Sequence, residues 1–259
     1  MAAIPPVIDL NCDLGEGFGA WTMGDDDALL DIVTSANVAC GFHAGDPNIM
    51  RRVCRKAAGN GVAIGAHVGY RDLAGFGRRA MRVAPEDLIN DVIYQIAALD
   101  GFARIAGSRV SYVKPHGALY NTVAVDGEQA AALVEAVHRY DPHLAVLGLP
   151  DSRVLQAAHT RGLTGVAEAF ADRAYDQQGR LVPRDIPGSV LHDVDAVVAR
   201  CTTMVLHGKV TSLLGTTVTL TPRSLCVHGD TPGAAEMARE VKRALLEAGV
   251  TLSPFVEAH

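Results

Sequence analysis

Among 259 residues there is one tryptophan, aromatics make up 5%, and the five cysteines (Cys12, Cys40, Cys54, Cys201, Cys226) include no CxxC pair. An odd, scattered set of thiols argues against a disulfide framework and against a cysteine-rich zinc site. No uncharged run of 18 apolar residues occurs, so no membrane span is expected. The start, MAAIPPVIDLN, has neither a basic segment nor a long apolar one, so no signal peptide is expected and a reducing cytoplasm fits best. Dense Lys/Arg runs are missing and the net charge is −6, which excludes nucleic acid as a first choice of partner. Several chemical motifs are missing too. There is no GxxxxGK[ST], since Gly208-Lys209 lacks the upstream glycine, and Gly15, Gly17 and Gly19 do not follow the dinucleotide spacing. HExxH and GxSxG do not occur, which disfavours a zincin or a common serine hydrolase.

What is present is an alternation. Short apolar runs at Val7–Asp13, Ala36–Cys40, Val62–His67, Val110–Lys114, Ala145–Leu149, Gly165–Ala169 and Ser224–His228 read as buried parallel strands. Amphipathic stretches separate them. Pro47 opens one with Ile49, Met50, Val53, Cys54, Ala57 and Ala58 on one face, and Pro85 opens another with Leu88, Ile89, Val92, Ile93 and Ile96. Thr231-Pro232 reads as a cap and first helical position, with Gly249 after the last turn. The expected architecture is therefore α/β, a single (β/α) barrel of about seven parallel strands over residues 1–259. An insertion around 172–222 carries a helical pattern at Val190–Cys201 and a strand at Thr217–Leu220. An open doubly wound sheet is the alternative.

The polar residues collect where these strands end. The first gives Asn11, Asp13 and Glu16, the second Asn37 and His43, and the third His67. The fourth gives Lys114, His116, Tyr120 and Asn121, the sixth Glu168, Asp172 and Arg173, and the last His228 and Asp230. In parallel α/β folds the carboxyl ends of the strands share one face, and ligands bind there. Each histidine taken singly reads as structural; their shared position is what points to chemistry. Lys114 lies inside an apolar run, and a buried ammonium requires a carboxylate partner or an anionic ligand. Asp9 is one available partner. Asp25, Asp26 and Asp27 read as an exposed helix start. A metal held by Asp13 with strand-end histidines is chemically reasonable, though no tight ligand spacing marks it, and no metal site is assigned.

These segments also carry a resemblance. IDLNCDLGEGFG (Ile8–Gly19), ANVACGFHAGDP (Ala36–Pro47), GAHVGYRD (Gly65–Asp72), VKPHGALYN (Val113–Asn121), EAFADRAYD (Glu168–Asp176), GRLVPR (Gly179–Arg184) and VHGDTPGA (Val227–Ala234) resemble the LamB/YcsF family, described as the A subunit of 5-oxoprolinase. The resemblance implies a barrel related to those of glycoside hydrolases and deacetylases. It further implies ATP-dependent opening of 5-oxo-L-proline (pyroglutamate) to L-glutamate, with partner subunits B and C, and a divalent metal could accompany the ATP. With that reaction in view, Asp13 or Glu168 is the expected base, with His67 and His116 as alternatives. Lys114 and Arg173 are expected to hold a carboxylate or phosphate. Asn11 and Asn37 would offer neutral hydrogen bonds, His43, His228 and Asp230 complete the substrate-binding set, and Gly69–Arg79 is a candidate lid. Loss of Lys114 is expected to abolish turnover and leave the thermal midpoint unchanged. Two other readings fit the same residues: a metal-dependent deacetylase or amidohydrolase that needs no ATP, and a non-catalytic lactam-binding subunit.

Overall fold

The computed structural model describes residues 5–229 and 233–257. Strands β1 (Val7–Leu14), β2 (Ser35–Ala39), β3 (Ala63–Val68), β4 (Val110–Pro115), β5 (Ala145–Gly148) and β6 (Gly165–Phe170) pair in parallel in chain order. An antiparallel hairpin of β7 (Lys209–Thr211) and β8 (Thr217–Thr219) stands apart from them. Strand β9 (Ser224–His228) then pairs with both β6 and β1 and closes the sheet. Short β10 (Thr251–Leu252) extends the edge of β1 near Val7. The result is a closed, seven-stranded, all-parallel barrel, as the alternation predicts, and the open sheet is excluded.

Helices α1 (Asp26–Leu30), α2 (Pro47–Gly59), α3 (Pro85–Ile105), α4 (Gly117–Val125), α5 (Gly127–Tyr140), α6 (Arg153–Arg161), α7 (Val194–His207) and α8 (Ala234–Glu247) alternate with the strands. Helix α2 starts where Asp46 accepts hydrogen bonds from the Asn48 and Ile49 amides and Pro47 presets the first turn. It buries Met50, Val53, Cys54 and Ala57, most of the anticipated face. Each larger side chain so buried contributes about 1.5–3 kcal/mol. Helix α7 begins later than its sequence pattern suggests. Val190 pairs with Arg173 and the Leu191 amide donates to the Asp172 carbonyl, so this stretch is held in the insertion until Asp193 caps the helix. Thr231-Pro232 lies outside the described residues. Asp26 is a second correction: it is buried, accepts the Gly15 amide at 3.0 Å and pairs with Arg52 at 2.8 Å. It thereby fixes the turn that follows β1.

The apolar core divides in two. Ile8, Leu10, Cys12 and Leu14 of β1 join the cluster shared between barrel and helices. Ala63, Tyr112, Ala145, Leu147 and Val166 fill the lower barrel, where Phe255 and Val256 pack against them. The Tyr112 ring crosses the interior because β3 has glycine opposite it. A Cβ on Gly65 would stand 2.2 Å from that ring. The phenol then donates to Asn37 Oδ1 at 2.7 Å.

The alternate residues of β1 form a polar ladder inside the barrel. Asp9, at its lower end, accepts hydrogen bonds from Thr34 Oγ1 and Ser35 Oγ, each at 2.6 Å, and from Ser224 Oγ. It is not the partner of Lys114. Burial raises the Asp9 carboxyl from 3.8 to about 6, against the lowering effect of the three hydroxyls. A carboxyl whose folded value is raised binds its proton more tightly in the native state, so stability falls as pH rises from about 4 through 6. Relative to Asp9→Asn, the native protein should lose about 3 kcal/mol between pH 4 and 7. Urea denaturation of both proteins at the two pH values measures this; parallel losses would show that Asp9 is ionised throughout.

Candidate active site

Above Asp9 the ladder reaches Asn11 and Asp13, and the barrel brings Lys114 and Glu168 to the same level. Lys114 Nζ lies 3.0 Å from Asp13 Oδ1, 3.1 Å from Glu168 Oε2, 3.3 Å from Asn11 Oδ1 and 3.2 Å from Cys226 Sγ. The ammonium is 1% exposed and also sits 5.1 Å from the centre of the Phe170 ring. Burial alone would lower the Lys114 ammonium; the facing Asp13 and Glu168 carboxylates outweigh it and hold it well above its usual range. Burial pushes the Cys226 thiol up, so sulfur accompanies the ammonium as a neutral group. Burial would likewise raise Asp13, yet His67 and Lys114 keep its carboxyl well below the carboxylate range. The anticipated buried ion pair is therefore present, with two carboxylates sharing one cation.

Asn11 and Asn37 lie beneath this triad and are fully buried. Asn37 Nδ2 donates to Asn11 Oδ1 at 2.7 Å and to Asp13 Oδ1 at 2.8 Å, while Asn11 Nδ2 donates to Ser224 Oγ at 2.6 Å. Their amides hold the charged residues in place, and neither lines the cavity above. Glu168 and His43 are also absent from the cavity wall and fully buried.

At the mouth three histidines from successive strand ends meet. His67 Nε2 is 3.4 Å from Asp13 Oδ2 and 2.9 Å from His116 Nδ1, and His43 stacks on His116 with ring centres 3.7 Å apart. Burial, reinforced by the neighbouring imidazoles, lowers His43 and His116 well below the usual histidine range. Glu16, on the turn that Asp26 secures, brings Oε1 to within 3.5 Å of His116 Nδ1 and 3.7 Å of His43 Nε2. The loop after β3 covers these rings, with Phe76 O accepting from His116 Nε2 at 2.8 Å. Gly77 (φ +64°) permits the approach, since a Cβ there would stand 2.7 Å from both His43 Cβ and His116 Cδ2. The candidate lid is fastened in this structure by Asp72 to Arg79 and by Gln95 to both polar atoms of Gly69.

Across the opening, His228 Nδ1 lies 2.8 Å from Asp172 Oδ1 and its ring stacks on Phe170. Burial would raise Asp172, but His228 holds its carboxyl below the ordinary value. Arg173 donates through Nη2 to Val182 O at 2.6 Å, and burial, with Arg184 nearby, lowers it to about 10. The cavity enclosed by these groups measures about 1030 Å³ and is lined by Asp13, Glu16, His67, Lys114, His116, Arg173 and His228, with Arg78, Arg153, Arg180 and Arg184 around it. Asp230 lies outside the described residues. Residues from Asp13 to His228 thus converge on one space. The sequence signalled neither the reach of Tyr112 to Asn37 nor the bond from Asp172 to His228. Glu16 was visible as a carboxylate after the first strand, with no role assigned to it.

A closed parallel barrel with a carboxylate–lysine–histidine well at the carboxyl ends of its strands carries its polar groups on the face where parallel α/β barrels bind ligands. A family 4 carbohydrate esterase from Streptomyces lividans shares this fold, with a TM-score of 0.53 at 13% identity over 99% of this chain and 97% of that one. The chain belongs to the LamB/YcsF family, whose model matches residues 8–259. It is 60% identical over 248 residues to the 5-oxoprolinase A subunit of Mycolicibacterium gilvum (strain PYR-GCK), covering 96% of this chain and 98% of that one. It is 61% identical to the 5-oxoprolinase A subunit of Streptomyces griseus subsp. griseus over 249 residues, 96% of this chain and 100% of the relative. The solved structure of a lactam utilization protein from Thermus thermophilus superposes with a TM-score of 0.91 at 45% identity, over 96% and 99% of the two chains. Among the described residues, no helix is long and apolar enough to cross a membrane.

Proposed function

We propose that this chain is the ring-opening subunit of a 5-oxoprolinase, acting on a lactam activated with ATP by partner subunits B and C. The observation that carries the reading is the buried ammonium of Lys114, gripped by Asp13 and Glu168 at the floor of a cavity ringed by arginines. Such a well suits a small anionic molecule that must be handled by acid and base. The relatives, named as A subunits of 5-oxoprolinase, supply the substrate class.

A five-membered lactam resists water because amide resonance lowers its electrophilicity and the amine leaves poorly. Phosphoryl transfer to the amide oxygen removes that resonance, and in this reading the partners carry it out, this sequence having no P-loop motif. In the ring-opening step, water adds to the activated carbon, its proton passes to Asp13 or to His67, and the carbon–nitrogen bond breaks to leave a γ-glutamyl phosphate, which a second water hydrolyses to glutamate and inorganic phosphate. His116 or His67 returns a proton to the departing nitrogen. Lys114 and Arg173 hold the carboxylate or phosphate, and His228, oriented by Asp172, completes the wall.

The test is glutamate release from 5-oxoproline with ATP, by this chain alone and with subunits B and C added. Release is expected only from the assembled mixture. Release without ATP, or turnover of a simple acetamide by this chain alone, would replace the proposal with a deacetylase-type amidohydrolase. Full activity of the assembly carrying cavity variants would leave only a binding role.

A further inference from the structure

We propose that Glu16, His43, His67 and His116 form a binding site for one divalent metal ion of the zinc class. His67 Nδ1 lies 3.1 Å from Lys114 O, and His116 Nε2 lies 2.8 Å from Phe76 O. A carbonyl oxygen only accepts, so both of these nitrogens carry hydrogen. With both rings neutral each has one N–H, and His67 Nε2 and His116 Nδ1 are then bare lone pairs. Those two atoms face each other at 2.9 Å, and two acceptors at that separation repel unless something positive lies against them. A shared proton or a metal ion would serve.

His43 decides between them. It is fully buried, and among the described residues neither of its ring nitrogens has a hydrogen-bond partner. A proton held between His67 and His116 leaves that imidazole without a partner, an unfavourable state for a buried polar group. An ion beside the three rings takes the lone pairs of His67 Nε2 and His116 Nδ1 and one of the two unpartnered His43 nitrogens. The spacing agrees. One donor atom from each of the four residues lies within 4.8 Å of the other three, and Glu16 Oε1 stands 3.7, 3.9 and 3.5 Å from the nitrogens of His43, His67 and His116. Ligands at 2.0–2.1 Å around a tetrahedral ion stand roughly 3.3–3.4 Å apart. Imidazoles tethered through their far N–H to backbone carbonyls are the arrangement that orients metal ligands. Imidazole and carboxylate donors suit zinc or cobalt. This inference goes beyond the lactam reading and does not depend on it, and an ion held there takes His67 and His116 out of the proton relay and leaves Asp13 as the base.

The experiment uses the full chain, stripped with a chelator and dialysed, then titrated with Co²⁺ followed by visible absorption and with Zn²⁺ followed by calorimetry. One equivalent should bind, and Co²⁺ should give the intense d–d bands of a low-coordinate site. His67→Gln and His43→Phe should each weaken binding roughly 100-fold or more, as expected when a ligand is lost. His43→Phe keeps a ring stacked on His116, which preserves packing if His67→Gln unfolds. His159→Gln, on the outer helix α6, should bind as the native chain does. No saturable binding by folded native protein, or binding unchanged in the folded His43→Phe and His67→Gln variants, overturns the site. Glutamate release is measured separately on the same samples, so the lactam reading can fail while the metal result stands.

Discussion

Replacing Lys114 by methionine should abolish turnover and lower stability by about 3–5 kcal/mol, the usual cost of removing one partner from a buried ion pair. The structure thus changes the expectation drawn from the sequence, in which the thermal midpoint was unaffected. Lys114 is the cation between two buried carboxylates, Asp13 at 3.0 Å and Glu168 at 3.1 Å, and without it the two lose the counter-charge they share. Methionine keeps the volume of the stem, so the loss reports charge more than a cavity. Adding Glu168→Gln to Lys114→Met removes one of the stranded charges and should restore part of the stability without restoring turnover. Urea denaturation and the glutamate assay separate the two effects. A Lys114→Met protein with native stability and native rate would remove the lysine from both roles.

Asp13→Asn should lower the rate by a factor of roughly 10²–10⁴, the range for losing a general base. The substitution is nearly isosteric, and an amide oxygen at the Oδ1 position still accepts from Asn37 and Lys114. What disappears is the negative charge 3.4 Å from His67 Nε2 and the capacity to take a proton. The change should fall mainly on kcat, with circular dichroism unchanged. A loss smaller than about tenfold in an assay limited by chemistry would leave Asp13 a structural role and move the base to Glu168 or a histidine.

All seven barrel strands were legible, because β/α alternation leaves its trace in apolar runs that buried parallel strands must have. The convergence of Asp13, His67, Lys114, His116, Arg173 and His228 on one cavity was legible too, through their common position at strand ends. Depth was not. Asn11, Asn37, Glu168 and His43 follow the same pattern yet are sealed off from the cavity, since a register position gives a direction and says nothing of what covers it. Asp9 and Asp13 lie on the same face of β1 four residues apart, and only the closed barrel decides which of them meets Lys114. Hydrogen bonds between distant segments, such as Tyr112 to Asn37, have no local signature at all.

Strand β9 completes the wall between β6 and β1, and its Ser224 bonds to Asp9 across 215 positions of chain. A ribosome must therefore carry synthesis past Ser224–His228 before the cylinder can shut. Until then the nascent chain carries two open sheet margins, on β1 and β6, together with a half-built polar interior wetted by solvent. Chaperone demand during synthesis, rather than the stability of the finished molecule, is where mutations in the closing strand would first be felt.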